Sequence, residues 1–284
     1  MLIPITRAVL PLLPDRAAFR LVAALASLPP SLPLKPEDRV VLDAATKFEF
    51  GSDLKRVAWR WGAGPTVVLA HGWGGRAGQM VKLADAIAGS GFEVVVFDGQ
   101  GHGESEGRRI GFRRLADDLK ALKEALQDEV SAWVCHSAAG LCLAAARFHR
   151  AIDPRRVVFL ATPRGPYIPI NELKQHLNPS AAVLNRCREF YAGEFGMRWE
   201  EMDRCAAFVN DGHAELLLIQ DRDDPRVEAG DAERIAAVWP DAEIIHTEGL
   251  GHLKVLWSGE VSQTVIDFLR RGDDVTQHLR ASTS

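Results

Sequence analysis

The 284-residue sequence predicts an α/β fold in which helices cover both faces of a mostly parallel sheet. Short, uninterrupted apolar runs alternate with longer amphipathic stretches, as expected of buried parallel strands and their helical crossovers. The composition, with 47% hydrophobic residues, also supplies enough apolar side chains for a large buried core. Both observations favour one large domain built around a central sheet.

The alternation predicts six strands and four helices. The predicted strands are 66–70, 93–97, 131–135, 157–161, 215–219 and 243–246. The predicted helices are 79–88, 112–127, 139–150 and 261–270. In an open sheet of this kind, ligands bind beyond the carboxyl ends of the strands, so we expect the functional residues directly after them.

Three segments depart from this alternation. Residues 162–213 hold helical stretches without alternating strands, so we interpret them as a helical cap inserted into a main domain at 37–271. Residues 1–36 are predicted to form an N-terminal helix followed by a proline-rich connector. The last segment, 272–284, is predicted to be a polar C-terminal tail.

The N-terminal segment contains an apolar run at 17–28 that is interrupted by Arg20. The run is shorter than the ~20 residues that a membrane-spanning helix needs. It follows Arg7 and Arg16 and contains Ala24-Leu25-Ala26, a sequence similar to a signal-peptide cleavage site, but we expect an amphipathic helix that covers the core or contacts a membrane surface or a partner. The four cysteines include no close pair, which favours a reducing compartment and a cytoplasmic location.

The charge balance argues against a nucleic-acid-binding protein, since the formal net charge is −4. The densest basic cluster consists of Arg108, Arg109, Arg113 and Arg114. Asp117 and Asp118 follow it at once, so we interpret this stretch as a solvated helix face. The sequence carries no signal for an oligomeric state.

A serine follows the third predicted strand in the sequence Cys135-His136-Ser137-Ala138-Ala139-Gly140. A strand that ends in a tight turn of small residues around a serine and then enters a helix is typical of a nucleophile elbow. The usual form is G-x-S-x-G, and here Cys135 and Ala139 replace the two glycines. A serine at this position can also simply cap the helix. We predict that Ser137 is a nucleophile.

Two further segments, together with the serine turn, resemble signatures of the α/β-hydrolase superfamily. His71-Gly72-Trp73-Gly74-Gly75 is similar to the HG loop, and Asp98-Gly99-Gln100-Gly101-His102-Gly103-Glu104-Ser105 is similar to D-x-x-G-H-G-x-S. The serine turn is similar to G-H-S-x-G-G, and the resemblance covers about residues 55–270. It implies an α/β-hydrolase fold and a serine hydrolase related to esterases, lysophospholipases and monoacylglycerol lipases.

The resemblance also implies roles for particular residues. In this fold, backbone N–H groups of the residue after the nucleophile and of the HG loop bind the oxyanion, which points to Ala138 and Trp73. Asp98 and His102 are implied to be structural residues near the site.

A serine hydroxyl needs a base, and in this fold the chain order is serine, acid, histidine. His252 follows the last predicted strand and resembles the family's base. The loop after the fifth predicted strand offers Asp221, Asp223 and Asp224. The family pattern h-h-G-x-x-D-x-x-V puts Asp224 at the acid, with Asp223 as the runner-up and Asp221 in place of the glycine. A solvated turn is the expected setting of Asp221 and Asp223.

The expected reaction is hydrolysis of a carboxylic ester or thioester of a small-molecule acyl substrate through an acyl-enzyme, without a metal or organic cofactor. Three aromatic residues of the cap, Tyr191, Phe195 and Trp199, are candidates for lining the acyl pocket, although aromatics at helical spacing more often pack in a core. Two alternatives stay open. One is a catalytically silent member of the fold that binds a ligand, and the other is the same fold catalysing acyl transfer, peptide hydrolysis or carbon–carbon hydrolysis.

Overall fold

The structure of the protein is a computed structural model that describes residues 2–29, 32–127, 130–210 and 214–271. The predicted tail at 272–284 lies outside the described residues, as does the end of the predicted cap at 211–213.

A mixed sheet forms the centre of the described chain. Its strands are β1 (Thr46–Phe50), β2 (Arg56–Gly62), β3 (Thr66–Ala70), β4 (Glu93–Asp98), β5 (Val130–His136), β6 (Arg156–Leu160), β7 (Glu215–Asp221) and β8 (Glu243–Thr247). Their spatial order is β1-β2-β4-β3-β5-β6-β7-β8. The pairs β1–β2 and β2–β4 are antiparallel, and all the other pairs are parallel. The predicted mostly parallel sheet is therefore confirmed.

Helices cover both faces of the sheet, also as predicted. They are α1 (Leu2–Val9), α2 (Asp15–Ala26), α3 (Pro36–Ala44), α4 (Ala77–Ala88), α5 (Phe112–Ala125), α6 (Ala138–Phe148), α7 (Ile168–Leu177), α8 (Ala181–Glu194), α9 (Trp199–Asp203), α10 (Asp231–Ala236), α11 (Gly251–Lys254) and α12 (Gly259–Arg270). Successive side chains of β3 point to opposite faces. Val67 and Leu69 pack in a core with α4 and α12, whereas Val68 and Ala70 pack in a second core with α5 and α6.

The sequence prediction did not include the two antiparallel strands. β1 is an edge strand in which Lys47 and Glu49 alternate with Phe48 and Phe50, so it lacks the uninterrupted apolar run that marks the parallel strands. A hairpin-like connection to β2 adds this edge without a helical crossover.

The N-terminal segment contains two helices, α1 and α2, where the sequence predicted one. α2 buries Ala18 and Val22 and contacts α8, and α1 contacts α7. Helices α7, α8 and α9 lie in the predicted cap, in the crossover between β6 and β7. The division into an N-terminal segment, a main domain and a cap stays a prediction. None of the helices in the described ranges is long and apolar enough to span a bilayer.

Candidate active site

Ser137 sits in a tight turn between β5 and α6. Its backbone has φ 53° and ψ −121°, a sparsely populated conformation that is retained where the surrounding structure enforces it. Its N–H still donates to the Leu160 carbonyl (2.9 Å), which continues the pairing of β5 with β6. Crowding explains the small neighbours: a Cβ on Gly140 would lie 2.2 Å from the Thr162 hydroxyl. Cys135 and Ala139, which replace the usual glycines, are both completely buried.

The strand order brings the serine turn and the HG loop together. β3 and β5 are neighbours, and the chain leaves β3 towards β4 on one side and continues from β5 towards β6 on the other. Their carboxyl ends therefore flank the crevice where an open α/β sheet binds its ligands. The approach is close, because a Cβ on Gly72 would lie 3.0 Å from the Cβ of Ser137.

Three side chains that are far apart in sequence form a hydrogen-bonded chain at this crevice. The Ser137 hydroxyl lies 3.0 Å from His252 Nε2. On the other side of the ring, His252 Nδ1 lies 2.8 Å from Asp224 Oδ2. The side chains of His252 and Asp224 are 7% and 1% exposed, so the hydrogen bond between them is shielded from water. This order, hydroxyl to imidazole to carboxylate, can transfer a proton from the serine and stabilise the resulting imidazolium.

The Asp224 carboxylate is ionised in this setting. Burial raises its pKa, but hydrogen bonds from His252 and from the backbone N–H groups of Arg226 (2.8 Å) and Val227 (3.1 Å) outweigh burial and lower the pKa below its ordinary value. The carboxylate is thus available to orient the Nδ1–H tautomer of His252.

The other two aspartates of this loop hold the loop that carries His252. Asp221, expected in a solvated turn, is instead buried, and its carboxylate accepts hydrogen bonds from the Thr247 hydroxyl (2.7 Å) and the Leu250 N–H (3.0 Å). Asp223 is exposed, but it accepts a hydrogen bond from the Gly249 N–H (2.9 Å). Only Asp224 reaches the imidazole among these three. The expectation of a solvated turn was therefore wrong for Asp221, because the end of β8 and the loop after it supply hydrogen-bond donors to its carboxylate.

His252 reaches the serine across two intervening strands. It follows β8, which lies three strand spacings, or about 14 Å, from β5. Gly249 and Gly251 take φ values of 74° and 61°, a region that favours glycine, and turn the loop back over the sheet. The ring of His136, at the end of β5, fixes the returning loop by donating from Nε2 to the His252 carbonyl (2.9 Å).

Two more buried histidines fix the HG loop, and both are neutral because one ring nitrogen of each accepts a backbone N–H. His71 Nε2 accepts from the Gly99 N–H (3.0 Å), and His102 Nε2 accepts from the Gly74 N–H (3.2 Å). Burial lowers the pKa of His71 to about 4 and that of His102 to about 3. Asp98 accepts from the N–H groups of Ala77 and Glu104, both at 2.7 Å, which agrees with its expected structural role.

A cavity of about 410 Å³ opens at Ser137, a volume typical of small-molecule sites. Its wall is largely apolar and includes Leu28, Leu32, Trp73, Phe112, Ile168 and Leu253. Ala138 also lines it, so both residues predicted to bind the oxyanion lie at the cavity with the serine. Among the described residues of the wall, Glu172 and Arg226 carry formal charges and form an ion pair at 3.4 Å.

The three cap aromatics do not line this cavity, so their prediction as substrate-binding residues was wrong. Tyr191 is 3% exposed and packs edge-on against Trp73 and Phe112, with ring centroids 6.1 and 5.6 Å apart. Phe195 packs against Phe112 at 5.1 Å. Trp199 packs against the edge of the same core. Tyr191 and Phe195 support the cavity wall from behind, because they pack against Phe112, which lines it.

A family model described as "Serine aminopeptidase, S33" matches residues 63–211, which is more than half of the chain. The chain belongs to this S33 α/β-hydrolase family. The match excludes the N-terminal helices and ends before the loops that carry Asp224 and His252.

The chain also matches individual proteins. Two uncharacterised proteins of Mycobacterium tuberculosis, from strains CDC 1551 / Oshkosh and ATCC 25618 / H37Rv, are each 25% identical over 206 residues. The match covers 67% of this chain and 64% of each relative, so the chain spans less than two thirds of their length.

Solved structures of the same fold include an esterase of Pyrococcus furiosus, with a TM-score of 0.63, 19% identity, and coverage of 86% of this chain and 96% of that one. A bromoperoxidase of Bacillus anthracis gives a TM-score of 0.60 at 18% identity and covers 79% of this chain and 100% of that one. At this identity the similarity concerns the fold.

Several positioning residues of this S33 family member were not predicted from the sequence. His71 and His136 each stand at the end of an apolar strand and inside the HG loop and the serine turn, and these placements were the signals that could have found them. Leu28 and Leu32 line the cavity although they belong to the N-terminal connector, and nothing in their local sequence indicates this contact. Asp118, assigned to a solvated face, is buried and ion-paired with Arg56 at 2.5 Å.

The neutral, buried histidines predict a loss of stability in mild acid. Burial lowers the pKa of His71, His102 and His136 to about 4, 3 and 3, from 6.5. The contribution of these histidines to the free energy of unfolding is complete above pH 6.5. It declines as the pH falls towards their pKa values in the folded state, because only the histidines of the unfolded chain then take up protons. Burial of Asp118 raises its pKa to about 6, which offsets a small part of the loss. We expect the free energy of unfolding to be about 2 kcal/mol lower at pH 6 than at pH 8.

Urea denaturation at the two pH values measures this difference. The variant His102→Gln is the matched comparison, since its free energy of unfolding should decrease between pH 8 and pH 6 by about a third less than that of the wild type. Equal stability of the wild type at pH 8 and pH 6 would contradict neutral, buried histidines at these positions.

Proposed function

We propose that the protein is a serine hydrolase that cleaves carboxylic esters through an acyl-enzyme, with Ser137 as nucleophile, His252 as base and Asp224 as the acid that orients the base. The observation that carries the proposal is the continuous hydrogen-bonded chain from the Ser137 hydroxyl (3.0 Å) through the imidazole to Asp224 (2.8 Å) at the floor of an apolar cavity.

In the first half-reaction, His252 Nε2 takes the proton of the Ser137 hydroxyl as its oxygen attacks the ester carbonyl carbon. The ring becomes an imidazolium, and the ionised Asp224 carboxylate stabilises that charge. The same proton then passes from Nε2 to the leaving alkoxide as the carbon–oxygen bond breaks. An alcohol departs, and the acyl group stays on Ser137.

The tetrahedral intermediate carries a negative charge on the former carbonyl oxygen. We assign its stabilisation to the backbone N–H groups of Trp73 and Ala138. The close approach of Gly72 to the serine supports this assignment, because it brings the HG loop against the start of α6. The hydrogen bonds of the His71 and His102 rings hold that loop rigid, so its donors need no reorganisation during the reaction.

In the second half-reaction, water occupies the position of the departed alcohol. His252 removes a proton from the water, whose oxygen attacks the acyl carbon. The resulting intermediate collapses as the Ser137 oxygen recovers its proton from the imidazolium. The products are a carboxylic acid and the free enzyme.

The wall of the cavity supports an ester substrate in preference to a peptide with a free amino terminus. An aminopeptidase must bind the ammonium group of its substrate, and a carboxylate is the natural partner for that charge. Glu172 is the only carboxylate among the described residues of the wall, and it is already paired with Arg226 at 3.4 Å. The remaining surface is mainly apolar and suits an acyl chain.

A chain-length series of p-nitrophenyl esters tests this function. We expect kcat/KM to rise from acetate to butyrate by up to about fourfold for each added methylene, since burial of one methylene contributes about 0.8 kcal/mol to binding. An aminoacyl p-nitroanilide serves as the comparison substrate and should be turned over far more slowly. Faster turnover of the anilide than of every ester, or a steady decline from acetate onwards, would overturn the proposed substrate class.

A further inference from the structure

Helix α1 exposes an apolar stripe that the fold does not use. Thr6 and Leu10 are buried and hold the helix against the protein. On another face, Ile5, Val9 and Leu12 are 57%, 39% and 81% exposed. Their spacing of four and three residues aligns them on one side of the helix and of the turn that follows it. Surface helices normally carry polar residues opposite their buried face, and a stripe of large exposed apolar side chains marks an interaction surface.

The same segment is basic, in contrast to the rest of the chain. Residues 2–28 contain Arg7, Arg16 and Arg20 and one acidic residue, Asp15, whereas the whole chain has a formal charge of −4. All three arginines are exposed. Exposed apolar side chains next to arginines are the composition of segments that lie in the interface of an anionic membrane. The positive charge therefore favours an anionic surface over a neutral or basic one, and the exposed apolar stripe favours a lipid bilayer as that surface.

The helix that carries the stripe contacts a helix of the cavity wall. α1 packs on α7, and the first turn of α7 contributes Ile168 and Pro169 to the cavity wall. The connector after α2 adds Leu28 and Leu32, which line the cavity and are themselves 47% and 39% exposed.

Hydrogen bonds fix this connector to the site. The Arg76 side chain donates to the Leu32 carbonyl (2.9 Å), and the Ile110 N–H donates to the Ser27 carbonyl (2.8 Å). Leu28 and Leu32 are therefore held at the cavity wall, to which α1 is linked through α7.

We propose that the N-terminal segment binds the surface of an anionic lipid bilayer through Ile5, Val9 and Leu12 and through its arginines. In this arrangement the cavity opens towards the bilayer, so the substrates are esters of membrane lipids. The membrane contact is inferred from the exposed apolar side chains and arginines of the N-terminal segment alone, whereas the lipid substrate rests on the proposed esterase function.

Vesicle flotation tests the contact without reference to catalysis. The probes are vesicles of phosphatidylcholine and vesicles of equal parts phosphatidylcholine and phosphatidylglycerol, and the protein is the full chain, both wild type and Ser137→Ala. We expect both proteins to float with the anionic vesicles, and the bound fraction to fall as salt is raised.

The double variant Ile5→Asp/Leu12→Asp should bind at least about tenfold more weakly, since it removes two insertable side chains and adds negative charge. Val40→Asp is the matched control, because Val40 is 70% exposed on α3, outside the segment. This control should bind as the wild type does. The double variant and Val40→Asp should keep the wild-type melting temperature and the wild-type turnover of a soluble short-chain ester.

The outcomes separate the two halves of the inference. Failure of the wild type to float with anionic vesicles overturns the membrane contact, as does equal binding by the double variant, and a protein partner is then the occupant to seek. If flotation succeeds and the double variant loses rate only on vesicle-borne esters, both halves hold. Flotation without hydrolysis of any ester retains the contact and rejects the esterase.

Discussion

Replacement of Ser137 by alanine is expected to lower kcat for a soluble ester by about 10⁶-fold. The hydroxyl oxygen forms the acyl bond in the proposed mechanism, and its hydrogen-bond partner in the structure is the base His252 at 3.0 Å. Without the hydroxyl group, water must attack the ester directly, and only the oxyanion donors and the binding contacts remain to accelerate that reaction. Steady-state turnover of p-nitrophenyl butyrate, measured with enough protein to detect the residual rate, gives the ratio.

The control for this substitution is Ser52→Ala, which removes an exposed hydroxyl on the loop between β1 and β2. It should keep full activity. Adding His252→Ala to Ser137→Ala should cause little further loss, because residues that act as a unit are not additive. A Ser137→Ala protein that retains more than about 1% of wild-type kcat would exclude this serine as the nucleophile.

Asp224→Asn is expected to lower kcat by about 10⁴-fold. The amide group keeps the shape of the side chain, but its N–H₂ favours the His252 tautomer whose proton lies on Nε2, the nitrogen that must accept the serine proton. It also removes the negative charge that stabilises the imidazolium. The measurement is kcat for the same soluble ester, with circular dichroism to establish that the fold is retained.

Asp223→Asn is the matched comparison, one position away in the same loop. Its carboxylate accepts from the Gly249 N–H, and the amide oxygen of asparagine can keep that bond. We expect a loss of less than about tenfold. A larger loss from Asp223→Asn than from Asp224→Asn would reverse the assignment of the acid.

The sequence was sufficient to predict the parts of the fold that are buried on both faces. β3, β4, β5 and β7 are uninterrupted apolar runs, and their crossover helices have the spacing that a parallel sheet requires. β1 was not predicted because its charged and apolar side chains alternate along the strand and point to opposite sides of the sheet. It therefore lacks the uninterrupted apolar run that marks the parallel strands. Ser137 and His252 could be predicted because each lies in the connection that follows a predicted strand, where an α/β sheet presents its site.

The rest of the site depends on contacts between distant segments. Tyr191 and Phe195 have the composition of a pocket wall, but the packing of α8 turns them towards Phe112. Leu28 and Leu32 became part of the cavity because Arg76, more than forty residues away, holds their connector in place. A local pattern indicates which face of a helix is buried, but it does not indicate which distant segment will pack against that face, and three-dimensional packing decides this.

Mass spectrometry after reaction with a fluorophosphonate shows whether Ser137 is an activated nucleophile, since this reagent phosphonylates an activated serine in the presence of its base. We expect one adduct per chain, located on Ser137 by peptide mapping, and a much slower reaction in Asp224→Asn. An unlabelled protein, or an adduct on any other serine, would contradict it.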